Sequence, residues 1–280
     1  MRRLVLLAAL VAMAACAPAA EPTPTGVQSC EKGALPLTVP GQLTVGTDAP
    51  AFPPWFVDDE PRNGMGFESA VAYAVAGELG FSREEVAWTV VPFNASFAPG
   101  GKAFDFDVGQ ISITPERQQA VDFSDGYYTV GQAVVALRDS PIAGARSVAD
   151  LRGARLGSAV GTTSLRAITE VVRPGRAPAV FNDYHDAVSS VRNGQVDGIV
   201  VDLPTAFFIT SAEVPEATIV GQLPPPSGAP EEFGLLFEKG NPLVGCVNQA
   251  LDALRSSGEL ERMTQRWLSE SAGAPMLSGP

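Results

Sequence analysis

A single histidine, His185, and three scattered cysteines are all the imidazole and thiol that 280 residues supply. That scarcity leaves no metal-ligand spacing and argues against Ser-His or Cys-His catalysis. No nucleophile elbow is present either, since the stretch GSAVG at 157–161 carries its serine in the wrong place, and SFAPGGKA at 96–103 lacks both the first glycine and the Ser/Thr of a phosphate loop. No nucleotide site can be read. Bases are also few, 19 against 31 acids for a formal charge of −12, which argues against nucleic acid or an anionic membrane surface as partner. Long hydrophobic runs are confined to one, Leu4 to Met13, and it is too short to span a bilayer. What remains is 45% hydrophobic residues, enough for the real cores of about two globular domains.

The N-terminus reads MRRLVLLAALVAMAAC, with two arginines, the apolar run, then small residues before Cys16. It has the form of a signal peptide over residues 1–15, and the small residues before the cysteine resemble a bacterial lipoprotein cleavage box. Cys16 would then be the lipidated first residue of the mature chain, holding a water-soluble body at the outer face of the cytoplasmic membrane, periplasmic or extracellular. Residues 16–39 read as the lipidated N-terminus and tether, since APAAEPTPTGVQS at 17–29 is rich in proline, alanine and threonine without periodic apolar positions. If Cys16 is lipidated, Cys30 and Cys246 remain in an oxidising compartment. An even count suits one disulfide, with two free thiols as the alternative.

Along the body, strands and helices alternate. QLTVGTD is a strand ending at Asp48, ESAVAYAVAGELGF an amphipathic helix stopping at Gly80, VAWTVVPF a strand, and FDVGQISI another. ARLGSAVGTTSLRAI runs strand, glycine turn, helix; DYHDAVSSVRNG is a helix with His185 on its surface; VDGIVVD is a buried strand ending at Asp202; and two amphipathic helices near the C-terminus break at Gly258. Repeated strand-helix units predict an α/β protein with sheets flanked by helices. Ligands of such sheets bind beyond the strands' carboxyl ends, where Asp48, Gly161 to Ser164, Asp202 and Arg117 would converge. Turn caps and surface pairs are the alternative for each of them taken singly.

The segments LTVGTD (43–48), GFE (66–68), ISITPERQQAVDFSDGYY (111–128), DLRGARLGSAVGTTS (150–164), NGQVDGIVVD (193–202) and FGLLFEKGNPL together resemble the family 3 solute-binding proteins, over about residues 42 to 268. The resemblance implies the two-lobe, type II periplasmic-binding-protein fold, with mixed sheets flanked by helices and two crossover strands as a hinge. Lobe 1 would hold residues 40–129 plus 232–270, lobe 2 residues 130–231, and 271–280 a tail. The function implied is capture of an amino acid for an ABC importer by cleft closure, with the transporter's permease as partner, a monomeric body, no nucleic acid, no cofactor and no catalysis. A ligand-sensing lipoprotein of the same fold and a periplasmic dehydratase are the rival readings.

By that resemblance Arg117 grips the ligand α-carboxylate, since a guanidinium offers a planar two-donor fork. Ser112 adds a hydroxyl, and the backbone N–H groups near Thr162 and Thr163 add donors. Asp202 accepts from the α-ammonium, with the Gln110 carbonyl as a second acceptor. Phe52, Trp55 and Phe93 fall near the family's pocket aromatics, with core packing as the alternative. Asp48 points toward the ligand side chain, which favours a polar or cationic amino acid unless Lys102 reaches in. Glu68 is read as structural. Ala159 and Val201 replace larger polar residues of some glutamine receptors.

Overall fold

In the computed structural model, which describes residues 29–226, 228–269 and 273–279, the run Leu43–Thr47 (β1) is buried along its whole length. Only a central strand covered on both faces can be buried this way. β1 lies parallel to β2 (Val86–Val90) and to β3 (Phe106–Asp107). The sheet continues through β12 (Leu236–Glu238) to β4 (Val121–Phe123), giving the order β2-β1-β3-β12-β4. Helix α1 (Phe67–Glu78) buries Phe67, Val71 and Val75 against it, as its i+4 pattern predicts. α1 follows Gly66 at φ +97°, where any Cβ would meet the Trp55 carbonyl at 2.3 Å, so the motif GFE has room for nothing but glycine. Helices α6 (Leu243–Ser256) and α7 (Glu259–Leu268) close the same core, separated by Gly258 at φ +71°.

The second sheet has the order β10-β6-β9-β7-β8, built from β6 (Gln132–Leu137), β7 (Leu156–Ala159), β8 (Ala179–Phe181), β9 (Gly198–Asp202) and β10 (Ala217–Leu223). Alternate residues of one strand enter opposite cores, Val134 and Val200 in one, Val135 and Ile199 in the other, as a sheet covered on both sides requires. Between the lobes run the two connections, β5 (Tyr128–Val130) and β11 (Glu231–Phe233), paired antiparallel with Val130 opposite Glu231.

Three features differ from the sequence reading. FDVGQISI is not one strand: only Phe106 and Asp107 join the sheet, because Gln110 takes φ +52° and turns the chain. Residues 111–113 then run beside the second connection, with Ile113 N–H donating to the Glu232 carbonyl at 2.8 Å. The stretch read as tether is bound to lobe 1 from Cys30 onward. There Cys30 is joined to Cys246 on α6 by a disulfide, Leu35 is buried, and Thr38 N–H donates to Asp105 at 2.7 Å. At the other end, the tail leaves α7 in lobe 1 and adds to the edge of β10 in lobe 2, where Leu277 is buried and its N–H donates to the Gln222 carbonyl. Residues 1–15, read as a signal peptide, and Cys16, read as the lipidation site, lie outside the described residues. Among those described, no helix is long and apolar enough to cross a membrane.

Candidate functional site

Asp48 stands one residue past β1, Asp202 ends β9, and Arg117 opens a short helical turn (Arg117–Gln119) at the end of the displaced 111–116 segment. All three line one cleft between the sheets, of about 970 Å³ with its open mouth included. The strands end there because their next residues must supply polar side chains to a ligand space.

The Arg117 guanidinium is buried and donates to the Ser112 carbonyl at 2.7 Å and across the cleft to the Gly161 carbonyl at 3.0 Å. The rings of Phe97 and Phe93 lie 4.5 and 5.4 Å from its central carbon. Burial draws its pKa down to about 10, opposed chiefly by the Glu231 carboxylate, so it stays charged at neutral pH. Gly161 itself takes φ +77°, and a Cβ there would meet Asn94 Oδ1 at 2.0 Å.

On the other lobe, Asp202 accepts from Gln132 Nε2 at 2.8 Å, and burial and the neighbouring Glu231 raise its carboxyl well above the usual range. The arrangement therefore offers one buried cation and one buried acid on opposite walls. It suits a zwitterion.

The lobes touch around this space. Phe52 stacks face to face on Tyr184 of helix α4 (Tyr184–Arg192), centroids 4.2 Å apart, and Arg166 pairs with Glu116 at 3.2 Å. Phe52 and Phe93 thus line the cleft. Trp55 does not: its indole is fully buried behind the cleft wall among Phe67, Tyr128 and Phe233, and Nε1–H donates to Thr205 Oγ1 at 2.9 Å. The core-packing alternative holds for it, because the 49–55 loop delivers Phe52 rather than Trp55 to the space.

The Ser112 hydroxyl expected as a donor is otherwise engaged, as are the hydroxyls of Thr162 and Thr163, for which the backbone N–H groups were the expected donors. Thr162 Oγ1 caps helix α3 (Thr163–Ala167), accepting from Leu165 N–H at 3.1 Å and donating to the Ala159 carbonyl. Ser112 and Thr163 both donate to Glu231, a residue the sequence reading passed over. Its one sequence signal was the period of two that places Glu231 on the same strand face as the buried Phe233.

Gln110 lines the cleft, but its backbone N–H and its Nε2 both donate to Glu68. Glu68 also accepts from the Tyr127 hydroxyl, and being fully buried it has its pKa pushed up to about 7. Glu68 thus pins the turn from which Ser112 and Arg117 are launched. Between about pH 4.5 and 7 the folded chain keeps a proton on Glu68 that the unfolded chain releases, so this group's contribution to stability falls as pH rises, by about 3 kcal/mol in all. Glu68→Gln should flatten that slope, as its amide stays neutral; its carbonyl oxygen can keep the bonds from Tyr127 and the Gln110 backbone N–H, and the Gln110 side-chain amide must turn its oxygen to the new NH2 group. Urea melts at intervals from pH 4.5 to 7.5 measure it; an unchanged slope in the variant would place the proton elsewhere.

Asp48 and Asp183 also line the cleft, and each serves its own backbone. Asp48 accepts from Ala49 N–H at 2.8 Å, Asp183 from Asp186 N–H at 2.9 Å as the cap of α4. Burial raises the Asp48 pKa, backbone hydrogen bonds oppose the rise, and Asp183 adds repulsion. Lys102 does not reach in; its Nζ donates to the Ala98 carbonyl, and Arg117 is the one basic residue among the described residues of the lining.

A family model described as bacterial extracellular solute-binding proteins, family 3, matches residues 43–270. The chain is 28% identical over 233 residues to the arginine-binding extracellular protein ArtP of Bacillus subtilis, covering 81% of this chain and 86% of that one. Among solved structures it is similar to an ancestral arginine-binding protein bound to glutamine, at a TM-score of 0.68 and 30% identity over 82% of this chain and 99% of the other. It is likewise similar to the arginine-, lysine-, histidine-binding protein ArtJ of Geobacillus stearothermophilus, at a TM-score of 0.68 and 25% identity over 84% and 96%. With its two sheets, paired connections and polar cleft in the type II periplasmic-binding arrangement, the chain belongs to the family 3 extracellular solute-binding proteins.

Proposed function

We propose that the cleft captures a free amino acid as a zwitterion and hands it to the permease of an ABC importer, the body being held at the membrane by a lipid on Cys16. The observation that carries this is the opposition of Arg117 and Asp202 across one buried cleft. A ligand bearing both charges would tie the lobes together, so closure follows from binding itself. The relatives named for arginine support the same ligand class. The relatives are named for binding rather than turnover, which favours capture over the dehydratase reading.

For the side chain we infer a preference for cationic over acidic amino acids. Asp48 and Asp183 would repel an acidic side chain, which would lose its water in a cleft whose one basic residue among those described, Arg117, is engaged by the α-carboxylate. The faces of Phe52 and Phe93 favour a cation further, by about 0.5 to 2 kcal/mol. Competition calorimetry with L-arginine, L-histidine, L-glutamine and L-glutamate tests the reading. Glutamate is expected to bind weakest, and glutamate at least tenfold tighter than the other three would overturn it. A wild-type chain that bound no amino acid would remove the proposed function as a whole.

A further inference from the structure

Glu231 lies on the second connection, between the lobes, and its carboxylate is the meeting point of both walls. One oxygen accepts from Ser112 Oγ of lobe 1 and from Thr163 Oγ1 of lobe 2, the latter at 2.5 Å. The other accepts from Gln132 Nε2 at 3.2 Å, and that same nitrogen donates to Asp202 at 2.8 Å. Gln132 opens β6, directly after the first connection, and its carbonyl oxygen accepts from Ser164 at 2.5 Å. Ser112, Thr163, Gln132 and Asp202 are thus organised by one residue that does not itself line the cleft.

The chemistry follows from counting protons. A hydroxyl has one hydrogen and two lone pairs. With the hydrogens of Ser112 and Thr163 both turned to Glu231, and one Thr163 lone pair taken by Gln132 Nε2 at 3.4 Å, what these oxygens can still offer the cleft is acceptor capacity. They suit an ammonium and not a carboxylate. Gln132, its two polar ends fixed by Glu231 and Ser164, holds Asp202 on the same side. The network also closes only when Ser112 of one lobe and Thr163 of the other reach the connection together.

We propose that Glu231 is a positioning residue for the ligand's α-ammonium, setting Ser112 and Thr163 as acceptors and holding Asp202 through Gln132. This rests on the reading of the cleft as an amino acid site. It assigns the selectivity for an α-amino group, rather than for the side chain, to a residue on the hinge.

The test measures Kd by calorimetry for L-arginine and L-glutamine and for their desamino counterparts, 5-guanidinopentanoate and glutaramate, on the full-length wild type and on two variants. Glu231→Gln is expected to weaken both amino acids at least tenfold and both desamino acids less than threefold, collapsing the preference for the amine. Gln132→Met, which keeps the Glu231 carboxylate and cuts its link to Asp202, is expected to lose the same preference, and serves if Glu231→Gln does not fold. Equal losses for amino and desamino ligands would make Glu231 a general hinge contact and overturn the proposal, as would unchanged affinities. A wild type that binds desamino acids as tightly as amino acids overturns it too. Wild-type binding of neither amino acid is read separately, before any variant, and counts against the amino acid reading on which the proposal stands.

Discussion

Arg117→Ala is expected to weaken amino acid binding by roughly two to four decades, about 3 to 5 kcal/mol. The wild-type guanidinium is buried, remains charged with its pKa at about 10, and already satisfies two N–H groups on the Ser112 and Gly161 carbonyls. Those bonds aim the rest of the fork and fix it against the Phe93–Phe97 ring pair. Its removal would leave the ligand carboxylate in a closed space with no compensating cation, which costs far more than loss of a surface pair. Arg117→Lys should recover little, since an ammonium cannot hold both carbonyls and present a planar pair of donors. Because Arg117 also bridges the lobes through Gly161, Asp202→Asn provides the control. It touches neither carbonyl and should weaken binding from the opposite wall. Calorimetry with L-arginine decides the matter, and affinities within threefold of wild type in both variants would take the site away from this cleft.

Much of this was legible in the sequence because the fold writes itself in short periodic signals. β1 is buried on both faces and β9 runs Ile199-Val200-Val201, α1 repeats at four residues, and Gly80 and Gly258 sit at positive φ where helices stop or begin. Strand ends then located Asp48 and Asp202, whereas Arg117, ten residues past the end of β3, was assigned its role by the family resemblance. What stayed hidden depends on contacts between distant segments. The alternation in FDVGQISI is a strand pattern by periodicity, yet Gln110 is pulled out of it by Glu68, 42 positions earlier. Trp55 and Phe52 are equally plausible cleft aromatics on composition, and only the path of the 49–55 loop puts one in the cleft and the other in the core. Glu231 and Glu232 are adjacent, identical in type and on a strand; which one faces the lobes is set by pairing with β5. The tail's addition to β10 has no local signature at all, because edge pairing is made by backbone groups that every sequence carries.

Loss of the Cys30–Cys246 disulfide is expected to destabilise the folded chain by about 5 kcal/mol, the figure that loop-closure entropy gives for cysteines 216 positions apart. The link spans nearly the whole described body, so its absence would free almost the entire unfolded chain while altering few native contacts. The folded side should barely change. Leu35 remains in the core, Lys32 keeps its ion pair with Glu85 at 2.5 Å, and Thr38 keeps its bond to Asp105, so the N-terminal segment stays on lobe 1 without the sulfur bridge. Cys246 is buried on α6, and Cys246→Ala with Cys30→Ser removes the pair without inserting a polar group into the core. Urea unfolding of this double variant should therefore show a lower midpoint, while calorimetry shows an unchanged Kd, because neither cysteine lines the cleft. Peptide mapping without reductant supplies the independent check: both thiols found free in the wild type would remove the bridge. A stability loss under 1 kcal/mol with the bridge present would mean that the unfolded chain is already confined by other contacts, and that the entropy argument does not hold for a loop of this length.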